Sequence, residues 1–167
     1  MKQLLIVRHA KSSWDNPLLA DFDRPLNQRG EKDAPKMAKR LRDQKVIPDL
    51  VISSPANRAL TTCKAFCDEL HFPIERIQIE KKLYHASEEQ ILSVLKTLKD
   101  HPHDKEEVVM IFGHNPGITE FTNSLLNEDI DNIPTCGVVG GLLSIPSWKE
   151  LTWGCGELDF FDYPKKD

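Results

Sequence analysis

An α/β fold built on a largely parallel sheet is what this sequence predicts, and three observations predict it. Short apolar runs alternate with amphipathic stretches along most of the 167 residues. The run Val108-Val109-Met110-Ile111-Phe112 is continuously apolar, the pattern of a strand buried on both faces. Between such runs lie helical stretches with one apolar face, as at Ala34, Met37, Ala38 and Leu41, with lysines and arginines opposite.

Taken in order, Gln3 to Arg8 is the first strand, followed by a polar loop rich in Asp, Asn and Pro from Ser12 to Gly30. A helix is predicted from about Glu31 to Gln44, and a second strand over Asp49 to Ser53, entered from Pro48. Ser53-Ser54-Pro55 is expected to start the next helix, where Ser can cap and Pro suits the first turn. That helix carries Arg58, Ala59, Leu60, Cys63, Phe66 and Leu70. Ile77 to Leu83 reads as a third, weaker strand, and Ser87-Glu88-Glu89-Gln90 as a capping box opening a helix with Ile91, Leu95 and Leu98 inward. Glu107 to Gly113 is the central strand, and Gly113-His114-Asn115-Pro116-Gly117 turns into a helix that reaches about Leu126. Gly137 to Ile145 and Leu158 to Phe161 are expected as antiparallel additions at a sheet edge. No repeat or linker interrupts the pattern, so one domain over residues 1–167 is expected.

A content of 40% hydrophobic and 29% charged residues is that of an ordinary globular chain. The formal net charge of −4 offers no global attraction to nucleic acid or to an anionic membrane. No stretch approaches the ~20 apolar residues of a membrane helix. The apolar run Leu4 to Val7 is followed at once by Arg8-His9, which reads as a strand and not a signal peptide, so a cytoplasmic location is expected. Cys63, Cys67, Cys136 and Cys155 form no CxxC pair. Cys63 and Cys67 lie one helical turn apart; zinc there is conceivable, but small buried thiols are the favoured reading. No metal or cofactor is expected, since no Walker-type loop, HExxH or carboxylate cluster is present.

Reactive polar groups appear directly after three of the strands. Arg8-His9 follows the first, Ser53-Ser54-Pro55-Ala56-Asn57-Arg58 the second, and Gly113-His114 the central one. In open α/β sheets ligands bind beyond the carboxyl ends of the strands, so parallel strands would gather His9, Arg58 and His114 at one edge. The residue types suit phosphoryl transfer. A neutral imidazole has a free nitrogen for attack, arginine forks match phosphate oxygens, and a second histidine can add a hydrogen bond. Singly, each of these residues would be read as a solvated strand end or turn; together they define an anion site.

The segment Leu5-Ile6-Val7-Arg8-His9-Ala10 resembles the signature of the histidine phosphatase superfamily, which includes phosphoglycerate mutases. Asp23-Arg24-Pro25-Leu26-Asn27-Gln28-Arg29-Gly30, Ser53 to Thr62 and Gly113 to Gly117 are similar to its further motifs, in order. The short length and the wording around Asp21 to Asn27 most resemble the SixA-type phosphohistidine phosphatases. The resemblance implies a three-layer α/β/α sandwich of the phosphoglycerate mutase-like type, with His9 as the phosphorylated nucleophile. It implies a phosphate pocket made of Arg8, Arg58 and His114, and Lys11, Arg24 and Asn115 are candidate substrate contacts. Ala10 stands where the usual residue is Gly, and Asp15 where mutase-like relatives carry a phosphate-binding Asn. The general-acid carboxylate of those relatives is not visible in Lys82-Leu83-Tyr84-His85-Ala86; Glu88 and Glu89 are candidates, each with a capping-box position that explains it otherwise.

The expected partner is therefore a phosphorylated substrate, a phosphohistidine-bearing protein or a small phosphate ester. A catalytically silent phosphate-binding module is the reading from another class, and it has no need of His9. His71, His101 and His103 are expected to be solvated, His85 to serve its loop, and Trp14, Trp148 and Trp153 to pack.

Overall fold

The computed structural model describes residues 1–100 and 106–166. Its first strand, β1 (Lys2–Arg8), divides its side chains between two cores. Leu5 and Val7 share one core with Met37, Ala38 and Leu41 of α1 (Gln28–Asp43) and Phe66 of α2 (Asn57–Glu69). Leu4 and Ile6 share the other with Ile91 and Leu95 of α3 (Glu88–Lys96) and Ile118, Phe121 and Leu125 of α4 (Gly117–Leu126). The two-residue period of a strand makes this division, and a run buried on both faces has to be apolar throughout. The same split recurs in β4 (Glu107–Gly113), with Val109 and Ile111 on one face and Met110 and Phe112 on the other.

Helices thus cover both faces of one six-stranded sheet, in the order β3-β2-β4-β1-β5-β6. β2 (Leu50–Ser53), β3 (Gln78–Ile79), β4 and β1 are parallel. β5 (Val138–Leu143) and β6 (Gly156–Asp162) complete the edge as an antiparallel pair, as expected. This is the mostly parallel three-layer sandwich that the sequence implies.

Several boundaries differ from expectation for local reasons. β3 is two residues long, where Ile77 to Leu83 was expected. Single 3-10 turns at Ile74–Arg76 and Lys81–Leu83 bracket it, and the Glu80 side chain accepts from the Lys82 N–H at 3.1 Å, fixing the second turn. α1 begins at Gln28 because Asn27 caps it, accepting from Gly30 N–H at 2.8 Å. α2 begins at Asn57 with no side-chain cap, so the serines before it are not its caps. Trp148 is fully buried, but Trp14 is 72% exposed; it lies under the Arg24 guanidinium, 3.4 Å from its ring centroid, and takes no part in a core. Trp153 is partly exposed against Phe121. His71 is exposed, and His101 and His103 lie outside the described residues. Among the described residues no helix is long and apolar enough to cross a membrane. Cys63 and Cys67 are free buried thiols hydrogen-bonded to each other, and no group of three or more potential metal ligands occurs among the described residues.

Two glycines let loops close on the helix starts. A Cβ at Gly30 would collide with the Lys11 carbonyl, and one at Gly117 with the Ala86 carbonyl. The first contact draws the loop after β1 against α1; the second draws the segment before α3 against the start of α4.

Candidate active site

β4 lies between β1 and β2, with Arg8 opposite Gly113 and Ser53 opposite Phe112, so the three carboxyl ends finish level. The backbone continues this alignment beyond the strands: His9 N–H donates to Gly113 O at 3.2 Å and Ser54 N–H to Phe112 O at 3.0 Å. His9, Arg58 and His114 end up in one place, 7%, 4% and 6% exposed, and the His9 and His114 rings are 5.2 Å apart.

The His9 ring is held in a definite tautomer. Its Nδ1 lies 2.8 Å from Ala10 O, and a carbonyl only accepts, so Nδ1 carries the hydrogen and Nε2 keeps a lone pair. Ala10 is itself fixed, its N–H donating to Thr62 Oγ1 at 2.9 Å, while Thr62 donates to Arg58 O at 2.8 Å. The small Ala10 side chain is fully buried. Burial pushes the His9 pKa down to about 4; the Ala10 carbonyl opposes this, and Arg58, Arg8 and Arg24 add to it. His9 is therefore neutral near pH 7, the state a nucleophile requires.

His114 Nε2 lies 2.8 Å from Ser54 Oγ. That oxygen already accepts from Ala56 N–H at 3.2 Å, leaving the hydroxyl hydrogen free to donate to Nε2. In this arrangement Nδ1 bears the other hydrogen, and it has no partner within the protein. Burial, then the neighbouring His9 and Arg58, lower the His114 pKa to about 3.

The arginines are partly engaged and partly free. Arg58 donates to Asp21 O at 2.8 Å and Asp21 Oδ2 at 3.0 Å, and its Nε has no partner. Arg24 donates to Ser12 Oγ at 2.8 Å, and its Nη1 has none. Arg8 donates to Ile133 O at 3.0 Å, and its Nε is likewise unpaired. Burial and then the charge of Arg58 lower the pKa of Arg8 and of Arg24, a sign of like charges crowded together. A buried donor left unpaired costs roughly 1–3 kcal/mol. All the unpartnered buried side-chain atoms of the described residues belong to Arg8, Arg24, Arg58 and His114, so the cost is concentrated where an anion would relieve it.

Four further residues shape the site although the sequence assigns them no role in it. Ser54 and Thr62 orient His114 and His9 as described. Asp21, in a 3-10 turn (Asp21–Asp23), receives the Arg58 fork and accepts from Tyr84 OH at 2.7 Å. The Tyr84 ring lies 5.6 Å from that of His114, and His85 Nε2 is 3.7 Å from Asp21 Oδ2. The Tyr84 and Arg58 contacts hold the Asp21 carboxyl below its ordinary range, Tyr84 being the larger cause.

Other candidates stand differently. Lys11 is exposed, while its carbonyl accepts from Asn27 N–H. Asn115 donates to Asn132 Oδ1 and Ile133 O and accepts from Thr119 Oγ1, so its amide ties loops together. Glu88 accepts from Ser124 Oγ on α4 at 3.2 Å, and Glu89 is exposed. Ser87 caps α3 in the expected capping box. Asp15 is exposed. A cleft of about 300 Å³ opens beside His114, lined by His85, Ser87, Gln90, Asn115 and Glu120 among others.

Residues 4–85 match the histidine phosphatase superfamily (branch 1). An uncharacterised chloroplastic protein of Arabidopsis thaliana is 31% identical over 153 residues, 89% of this chain and 70% of the relative. Among solved structures, the protein assigned as phosphohistidine phosphatase SixA in Agrobacterium tumefaciens superposes with a TM-score of 0.77 at 27% identity, covering 97% of each chain. The protein histidine phosphatase SixA complexed with tungstate gives 0.80 at 22% identity, again over 97% of each. The match to 2,3-bisphosphoglycerate-dependent phosphoglycerate mutase of Bifidobacterium longum covers 32% of the mutase's length. The chain belongs to the histidine phosphatase superfamily. Its fold is that of the small SixA phosphatases.

Proposed function

We propose that the protein is a metal-independent phosphatase that hydrolyses phosphohistidine in proteins through a phosphohistidine intermediate on its own His9. The observation that carries the reading is a neutral His9, its Nδ1–H held by Ala10 O and its Nε2 free, among the unpaired donors of Arg8, Arg24, Arg58 and His114.

His9 Nε2 attacks phosphorus, and the leaving group departs in line with its electron pair. The equatorial oxygens gain charge in the transition state, and the arginine donors and His114 Nδ1–H meet them. Phosphorylated His9 keeps its Nδ1 hydrogen, so water can attack phosphorus and expel the ring as neutral imidazole. The water's second proton is released to solvent, and phosphate leaves.

The substrate class rests on the two carboxyls Asp21 and Glu88, each already engaged with the protein. Asp21 is held ionised by Tyr84 and Arg58, and Glu88 is bonded to Ser124. Expelling an alkoxide without an acid is slow, because its conjugate acid resembles water, with a pKa of about 15.7. An imidazole departs far more easily, its conjugate acid having a pKa of about 6.5.

The test is rapid-quench labelling together with steady-state turnover of p-nitrophenyl phosphate and a phosphohistidine peptide. A base-stable, acid-labile phosphoenzyme should form, vanish in His9→Ala, and persist after exhaustive chelation. Equal labelling in His9→Ala would refute the nucleophile, and loss on chelation with recovery on Mg²⁺ would refute metal independence.

A further inference from the structure

We infer that Asp21 is the residue that selects an imidazole leaving group, its carboxylate accepting a hydrogen bond from the substrate ring's distal N–H; this rests on the phosphohistidine reading above.

The geometry shows a part-exposed carboxylate beside Arg58 with an imidazole already facing it. Asp21 Oδ2 takes the Arg58 Nη2 contact at 3.0 Å and the Tyr84 hydroxyl at 2.7 Å. His85 Nε2 approaches the same oxygen from the solvent side at 3.7 Å, its side chain 65% exposed, too far for a bond and open to displacement. Asp21 itself is 40% exposed at its side chain, so a substrate ring can reach it. It also lies close enough to the reacting groups for its charge to be felt at His114.

The chemistry explains why a carboxylate belongs there. In a phosphohistidine side chain one ring nitrogen bears phosphorus and the other has a lone pair. Breaking the N–P bond in that state would expel an imidazolide anion. When the distal nitrogen is protonated, the N–P electron pair returns to the ring and neutral imidazole leaves. An ionised carboxylate against the distal N–H stabilises this protonated form, with no proton of its own to give. The proton stays on the ring throughout, the new P–N bond forms to His9 Nε2, and charge balances. The groups facing Asp21 are Arg24 at 3.4 Å, Arg58, Tyr84 and His85. Tyr84 and Arg58 keep it ionised, and that is the role a hydrogen-bond acceptor needs.

An anionic leaving group meets the opposite effect. A phenolate leaving from p-nitrophenyl phosphate carries no hydrogen to donate and is repelled by the carboxylate. Asp21→Asn keeps the shape and an acceptor oxygen for Arg58 and Tyr84 but removes the charge.

The experiment is kcat/KM for a phosphohistidine peptide and for p-nitrophenyl phosphate, wild type against Asp21→Asn, with thermal unfolding to confirm folding. The expected result is a loss of about 10- to 100-fold on phosphohistidine, the worth of one charge-assisted hydrogen bond, and a clearly smaller loss on p-nitrophenyl phosphate, where only the support of Arg58 is weakened. The alkaline limb of the phosphohistidine profile should also move to lower pH, because the bound ring loses the partner that keeps it protonated. An equal loss on both substrates would make Asp21 only a support for Arg58 and overturn the inference, as would no loss on either. Wild-type enzyme that hydrolyses p-nitrophenyl phosphate but not phosphohistidine would overturn the substrate reading itself.

Discussion

β1 ends in a buried or half-buried cation at each extremity, and the two are treated in opposite ways. At its start, Lys2 Nζ lies 3.3 Å from Glu107 Oε1 and 3.3 Å from Asp100 Oδ1, and 5.3 Å from the Trp148 ring centroid. Trp148 Nε1 also donates to Glu107, so that end closes on itself. At its finish, Arg8 has an unpaired Nε, and Arg58 is a like charge near enough to depress it. Desolvating a charge costs several kcal/mol unless it is paired. At the Lys2 end the fold supplies the counter-charge; at the Arg8 end it leaves unpaired donors that an anion could meet. Burial of charge therefore does not mark a functional site by itself. Unpaired donors of one sign do.

The sharpest way to break this comparison is to mutate both ends. Arg58→Lys keeps a charge but loses the fork and the free Nε, so kcat/KM should fall on the order of 10²–10³, as for a lost oxyanion contact, with little change in stability. Lys2→Met should do the reverse. It removes the cation facing the buried Glu107 carboxylate, at a cost of about 3 kcal/mol, while turnover stays near wild type. Denaturant unfolding and steady-state kinetics on both variants decide it. Comparable activity losses at the two ends would show that the Arg8 end is not specialised.

Ligand binding should sharpen it next. Inorganic phosphate or tungstate at a hundred times its Kd should stabilise the protein by about 2.7 kcal/mol. The same increment is expected in Lys2→Met and a much smaller one in Arg8→Gln, measured by thermal shift across a titration. An undiminished shift in Arg8→Gln would place the anion elsewhere.

What the sequence made legible at the Arg8 end was its gathering of groups. Parallel strands and short strand-to-helix turns locate Arg8, His9, Arg58 and His114 at one edge from local signals alone, and the structure brings them together. Asp21 and Tyr84 were not legible. They sit in irregular turns without periodicity, and the Asp21 contacts to Arg58 and Tyr84 span 37 and 63 residues of chain. Ser54 could be seen but was read as a cap. A serine before a helix fits that role, and only its approach to His114, 60 residues away, shows the other. Ile77 to Leu83 has strand-like residues, but β3 stays short because Gln78 and Ile79 form an exposed edge with little to pack against. The Lys2 end was invisible for the same reason as Asp21: Glu107 and Trp148 reach Lys2 only through the fold.

The smallest expected effect is on the pH dependence of stability. His9 and His114 are held neutral in the fold, with pKa values of about 4 and about 3, against an ordinary value of 6.5. Between those values the unfolded chain binds protons that the native site does not, so stability must fall as pH falls below 6.5. Each histidine contributes a slope approaching 1.36 kcal/mol per pH unit, or about 1 kcal/mol between pH 6.5 and 5.5. Replacing one of them, as in His9→Asn, should remove about half of that combined slope. Lys2→Met should lower the whole curve, because it removes the cation shared by Glu107 and Asp100. Saturating phosphate should flatten the wild-type curve, since an anion against the rings favours their protonated forms. Urea unfolding at pH 7, 6.5, 6 and 5.5 measures all three. A His9→Asn slope equal to the wild-type slope would mean that His9 is not held neutral by its burial, and the asymmetry between the two ends of β1 would lose its electrostatic basis.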